Sequence, residues 1–198
     1  MLIWVTTFIA ISLSVCQAQD RTPTGFYYPR SQNIGPYSGF LASGCFGHKD
    51  YFPNEYHLGK DSWGYMWEPV YATASGEVIW RSKHGWSPDR KVGDETMNIN
   101  VGLLILHYTS TGQPFQALYG HIRTRLQPGQ SVSAGEIIGY VGDWFNQQHV
   151  HFGVRIPPSA QPRALPTGDW GRPNCDTWSW GIGSWIEPMG FIQSNSPQ

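Results

Sequence analysis

The sequence predicts a mainly β fold, an antiparallel sheet or sandwich-like domain, and three observations carry that expectation. Glycine (23), proline (15) and tryptophan (10) are abundant while charged residues make up only 14%, a composition that suits strands joined by many turns better than a helical bundle. Short β-type runs recur at Val70 to Trp80, Met97 to Tyr108, Phe115 to Ile122, Ser131 to Val141 and His149 to Ile156. Turn signals punctuate them: Ser75 to Glu77, Thr109 to Gln113, Gln127 to Gln130 and Ser133 to Glu136 each place a glycine where a hairpin or tight turn needs one. No long helical periodicity, internal repeat or low-complexity tract competes with this pattern.

The 198 residues suffice for one domain with extensions. Residues 1–18 read as a signal peptide. The apolar run from Leu2 to Val15 is short for a bilayer span but has the length of a secretory h-region, and Cys16 and Ala18 are small residues where a cleavage after Ala18 requires them. The preceding region lacks Lys and Arg, and the run ending at Cys16 offers a lipoprotein box as a minor alternative. Export to the periplasm or the extracellular space, with no stable membrane span after leader removal, is the expectation. Residues 19–50 read as an extended arm wrapped on a domain, because Pro, Gly, Ser and Tyr dominate there. Residues 51–192 hold the domain itself and 193–198 a tail.

A formal net charge of -1 gives no electrostatic footprint for nucleic acid or an anionic membrane surface. Loss of the leader would leave Cys45 and Cys175, and in an oxidising compartment a disulfide between them is the economical reading. The alternative, Cys45 and His48 as half of a metal site, needs a second ligand pair that Cys175 alone does not supply.

The chain has seven histidines, and their arrangement is the main functional signal. Catalytic zinc is typically held by three protein ligands, mostly His with a carboxylate, leaving one position to water. His57 and Asp61 bracket Gly59, a residue that lets the backbone pass close to a ligand. His149 and His151 sit two apart in a strand-like run and so point to one face, and one of them can complete a His-Asp-His set. His121 closes another strand-like run, where side chains project into a cleft. Against this, a single strand histidine is more often a packing residue, and His-x-x-x-Asp alone is a weak pattern. Two motifs plus His121, on three separate β-type segments, make coincidence harder to sustain. The helical His-Glu-x-x-His and the Gly-x-Ser-x-Gly elbow are absent, so zincin and serine hydrolase chemistry lack support.

In order and spacing these residues resemble the lysostaphin/LytM-type zinc metallopeptidases, a family of peptidoglycan endopeptidases. The resemblance runs from about His48 to Ile192, through His57 to Asp61, Pro69 to Val78, Leu103 to Gly112, Ala117 to Ile122, Gln127 to Gly142, His149 to Phe152 and Trp185 to Ile192. It implies a largely antiparallel β structure with a substrate groove across the sheet. It implies zinc (Zn2+) held by His57, Asp61 and His151, with His121 and His149 as catalytic histidines and peptidoglycan peptides as the substrate. Which of His121 and His149 acts as base stays open. His107 reads as structural, His48 and His84 as loop residues, and Tyr119 as either groove lining or packing. The chain departs from the family in the short, bulky stretch Gly142 to His151 and in the aromatic run Ser62 to Glu68. The Arg that the family often carries ahead of its first motif has no assigned equivalent between Gly44 and His57. Most tryptophans read as core, with Trp144 and Phe145 as groove candidates. The rival functions are a catalytically silent wall-binding or regulatory domain of the same fold, whose relatives have usually lost ligands or catalytic histidines, and a carbohydrate-binding β-domain, for which only the tryptophans speak.

Overall fold

The stretch Val101-Gly-Leu-Leu-Ile-Leu-His-Tyr108 is apolar on both sides of its alternation, which is what a strand covered on both faces requires. It forms the centre of the fold. The computed structural model describes residues 21–22, 24–30, 46–47, 57–81, 101–142, 148–166 and 184–198. Residues 1–18, expected to be a leader, and Cys45, Cys175, His48, His84, Trp144, Phe145 and residues 97–100 lie outside the described residues. The described strands are β1 (Lys60–Trp63), β2 (Pro69–Tyr71), β3 (Gly76–Arg81), β4 (Val101–Tyr108), β5 (Pro114–Arg123), β6 (Ser131–Val132), β7 (Ile137–Val141), β8 (His149–Arg155) and β9 (Trp185–Ile186), followed by helix α1 (Pro188–Ser194). They pair in one sheet with the path β1-β8-β5-β4-β3-β6, while β9 joins β8, and β7 joins β2 and β5. Every pairing is antiparallel, as the composition and turns predict. Among the described residues no helix is long and apolar enough to cross a membrane.

Two predicted runs divide. Val70 to Trp80 is β2 and β3 with a bend between them, and Ser131 to Val141 is β6 and β7. In both cases the turn signal inside the run overrides its β propensity. Gly135 takes φ 75°, a conformation that glycine adopts without a steric penalty. Gly76 begins β3 because only a hydrogen fits there: a Cβ would lie 2.3 Å from the Leu106 carbonyl oxygen. The strands β1 and β9 and the helix were not anticipated. The helix starts at Pro188, whose fixed φ suits a first turn, and Glu187 caps it by accepting from the Gly190 N–H.

Register divides the side chains between two faces. Leu103 and Ile105 of β4, Phe115, Ala117 and Tyr119 of β5, and Val150, Phe152 and Val154 of β8 share the main core with Phe26 and Ile192. Fully burying an aliphatic side chain of this kind contributes about 1.5–3 kcal/mol. The alternate positions Leu104 and Leu118 join Leu58 and Trp185 in a smaller cluster on the other face. Because Leu118 pairs with Gly153 of β8, His149 and His151 lie on this second face. Tyr119 is fully buried in the main core and its oxygen accepts from the Thr73 N–H at 2.9 Å, so it packs rather than lining a groove.

His107 also faces the main core, stacked on Phe115 with ring centroids 5.1 Å apart, and its Nδ1 bonds the Ser75 carbonyl oxygen at 3.0 Å. Burial pushes its pKa down from 6.5 to about 4, opposed in part by the carbonyls of Ser75 and Ala74. The folded state thus holds this imidazole neutral where the unfolded chain protonates it, so its contribution is complete above pH 6.5 and is lost as pH falls toward 4. Urea unfolding should therefore show stability declining through that window by up to about 1.4 kcal/mol per pH unit from this group alone. In His107→Asn, whose amide can keep the bond to Ser75, the decline should be shallower. Equal slopes in the two proteins would remove His107 as its source.

Candidate metal centre

Strand pairing assembles the site. The register of β1 against β8 sets Asp61 opposite His151 and Trp63 opposite His149, so all four side chains project from one face. On the other side of β8, Gly120 of β5 stands across from His151. His57 approaches from the residues just before β1. Between them Gly59 has a steric role: a Cβ there would lie 2.5 Å from His151 Nε2 and 2.8 Å from the Phe152 carbonyl oxygen. The glycine of the His-x-Gly-x-Asp motif is thus fixed by the ring of His151 lying against its backbone, a contact that the sequence does not display.

Three lone-pair atoms converge. His57 Nε2 lies 3.1 Å from Asp61 Oδ1, His151 Nδ1 lies 2.9 Å from His57 Nε2, and His151 Nδ1 lies 3.2 Å from Asp61 Oδ1. Tetrahedral ligands at zinc bond lengths stand about 3.3–3.4 Å apart. The triangle is close to one face of such a tetrahedron, and two nitrogens with one carboxylate oxygen are an ordinary zinc donor set. The residues present therefore fit the metal that the motif implies. His57, Asp61 and His151 also form a group whose ligand atoms all lie within 4.8 Å of one another.

The remaining imidazoles border this triangle. His149 Nε2 is 3.8 Å from Asp61 Oδ2, and the His121 ring is 4.5 Å from that of His149 and 6.4 Å from that of His151. All four histidines are at most 6% exposed. Burial would raise the Asp61 pKa, but hydrogen bonds from His151 and His57 hold the carboxyl well below the usual carboxylate range, so it is anionic. Burial lowers the His151 pKa, and the hydrogen bond with Asp61 opposes this. His121 is pushed well below its ordinary value by burial and by its neighbour His149. The five sequence-predicted residues are thus brought together on one face.

His121 occupies a fork in the sheet. The edge of β5 pairs with β8 as far as Gly120 opposite His151, then with β7 from Ile122 opposite Val141. At the switch His121 adopts φ 59°, the left-handed region, and its carbonyl accepts from the Gly142 N–H at 2.8 Å. For a side chain bearing a Cβ this conformation is costly and persists where the surroundings impose it.

Sequence reasoning missed two neighbours of the site. Trp63, 39% exposed, sets its ring edge-on to His149 at 6.2 Å between centroids. Arg30, in the arm, donates to Ser62 Oγ at 2.9 Å and to both carboxylate oxygens of Glu68, bracing β1 and the turn after it from the opposite face. The alternation of β1 signals the first; no local pattern signals the second.

The sequence profile of peptidase family M23 matches residues 55–163. No curated protein matches the chain. Among solved structures, similarity extends to the catalytic domain of the antimicrobial peptidase lysostaphin from Staphylococcus simulans, at 21% identity, covering 76% of this chain and 89% of that one, with a TM-score of 0.45. Against the structure of the antimicrobial peptidase lysostaphin itself the match covers 48% of that chain, at 21% identity, 76% of this chain and a TM-score of 0.44. A zinc containing peptidase from Vibrio cholerae matches at 23% identity over 70% of this chain and 34% of that one, with a TM-score of 0.38.

The strain at His121 can be measured. His121→Gly and His121→Ala remove the same imidazole, but only glycine relaxes into the left-handed region, so in urea unfolding the glycine variant should be the more stable by roughly 0.5–1 kcal/mol. If alanine proved equally stable, the fork would impose no such cost.

Proposed function

The chain belongs to peptidase family M23, and on that premise we propose that it is a secreted, zinc-dependent endopeptidase hydrolysing peptide bonds of peptidoglycan. The observation that carries the reading is the convergence of His57 Nε2, Asp61 Oδ1 and His151 Nδ1 within 3.2 Å of one another, with two further imidazoles beside them. A zinc ion held there supplies Lewis acidity that polarises the scissile carbonyl and makes water a competent nucleophile near neutral pH.

The chain's own residues divide the rest. Asp61 contributes the anionic donor, while His57 and His151 contribute neutral nitrogens through opposite ring positions, Nε2 and Nδ1. His121 and His149 flank the position where the peptide must lie. One accepts the proton of the attacking water and returns it to the departing amine; the other donates a hydrogen bond to the carbonyl oxygen as negative charge develops there. Their burial removes competing water, which strengthens both interactions. A binding-only domain of this fold would be expected to lack a ligand or a histidine from this set, and all five are here. Secretion is proposed from residues 1–18 alone.

Metal analysis of the purified protein and release of new amino termini from purified peptidoglycan test the reading together. Wild type is expected to carry zinc and to lose activity on chelation. His57→Ala should lose both metal and hydrolysis, whereas His149→Ala should keep the metal and lose about 10²–10⁴-fold in rate. Undiminished hydrolysis in His149→Ala, or a wild type that binds no zinc, would overturn the assignment.

A further inference from the structure

Among the described residues the most buried and the most exposed aromatic side chains contrast in position. Phe26, Phe115, Tyr119, Phe152, Trp185 and Phe191 are buried, but Trp63, Tyr65, Trp67 and Tyr140 are between 38% and 82% exposed. One member of the exposed group borders the site, and the others follow it in the chain or pack across β7. Trp63 touches the ring of His149, Tyr65 and Trp67 follow in the turn after β1, and Tyr140 of β7 meets the edge of Trp67 with centroids 6.4 Å apart.

Trp67 is held in place from several directions. Its backbone sits at φ 73°, where a bulky side chain is an outlier. Its N–H donates to the Val141 carbonyl at 3.1 Å. One face of its ring is covered by the Arg123 guanidinium, whose central carbon is 4.1 Å from the ring centroid. Arg123 is itself only 4% exposed, so it supports the ring rather than offering its charge to a ligand. Glu68, at the end of the same turn, is locked by Arg30 and accepts from the Tyr65 N–H at 3.1 Å. A strained backbone maintained to present an indole to solvent is the mark of a site, because packing alone would have turned the ring inward. Beyond Tyr140 the surface continues into an open pocket of about 460 Å³ bordered by Arg125 and Ile137, within the size range of small-ligand sites.

We propose that Trp63, Trp67 and Tyr140 form a ledge that binds a pyranose ring of the glycan strand from which the substrate peptide branches, an inference that builds on the peptidoglycan reading above. Peptidoglycan offers this surface two chemistries, a peptide of small and charged residues and a chain of N-acetylated sugars. Only the sugar presents a flat face of C–H groups that matches the electron-rich face of a fixed indole. A ring already immobilised loses little side-chain entropy when the sugar settles on it.

The test uses the full chain and two variants. Trp67→Gly removes the ring while keeping a residue that accepts the left-handed backbone, and Tyr140→Ala removes the edge contact without touching that backbone. An N-acetylglucosamine tetramer serves as probe in titration calorimetry. Both variants are expected to weaken its binding about ten-fold. KM should rise by a similar factor for a stem peptide still attached to its disaccharide, with cleavage of the same peptide freed of sugar unchanged. Tetramer binding unaltered in both variants, or KM rising equally for the two substrates, would overturn the ledge. Tetramer binding lost on mutation in a protein that cleaves neither peptide would instead support the ledge and sink the peptidase reading.

Discussion

The pairing of Asp61 with His151 across β1 and β8 is the constraint on which the site depends. A strand alternates its side chains with period two, so a slip of one residue would replace Asp61 by Lys60 or Ser62 beside His57 and His151 and turn the carboxylate into the main core. Several features oppose that slip. Gly59 lets the His151 ring lie against it in the observed register, where any Cβ would meet that ring and the Phe152 carbonyl together. On the opposite face Ser62 is tied to Arg30. The partly buried carboxylate would be costly by itself, and the two imidazoles that hydrogen bond to it offset that cost in the folded state.

The division of labour between the two faces of the sheet follows from the same alternation. Val150 and Phe152 fill the main core on one side while His149 and His151 stand on the other, which is why two polar rings can interrupt a run that otherwise reads as interior. Among the described residues the second face carries a smaller cluster of Leu58, Leu104, Leu118 and Trp185, with Phe46, Ile79 and Trp80 packed against it. Gly153, beside His151 on β8, lets Trp185 and the Leu58 carbonyl pack directly against the strand, since a Cβ there would lie 2.9 Å and 2.8 Å from them. A site on this face makes little demand on the main hydrophobic core. It can therefore tolerate four buried imidazoles that would be out of place among Leu103, Ile105 and Phe115.

Much of this was legible in the sequence and some was not, for physical reasons. The grouping of the histidines with Asp61 was legible because metal chemistry requires few residue types at narrow spacings, and the structure sets these side chains side by side. The long strands were visible because β4, β5 and β8 each bury a continuous apolar run. The divided runs were misjudged because β-branched and aromatic residues on either side of Gly76 and Gly135 have strand propensity that a local turn overrides. The strands β1 and β9, four and two residues long, have too little length for periodicity to register, and they exist through pairing with β8. The left-handed backbone at His121 had no signal at all. It arises where β5 changes partner from β8 to β7, a property of the assembled sheet and of no local stretch. Of the four tryptophans among the described residues, two are exposed, Trp63 at the end of β1 and Trp67 in the turn after it.

The described part of the N-terminal arm bears on how the site is supported. Phe26 is fully buried in the main core, packed edge-on against Phe115 at 5.6 Å and tilted on Phe191 at 6.3 Å. Arg30 pairs with Val70 in an isolated bridge and reaches Ser62 and Glu68 from the same side. Residues 21–22 and 24–30 thus pack behind the sheet, on the face opposite the histidines. Most of their contacts go to β2, the bend after it and the helix, and Arg30 alone reaches β1 and the turn that follows, the two pieces of chain that carry Asp61 and Trp67. Arg30 therefore braces two neighbouring pieces of chain at once: through Ser62 it steadies the strand that carries Asp61, and through Glu68 it fixes the turn that carries Trp67.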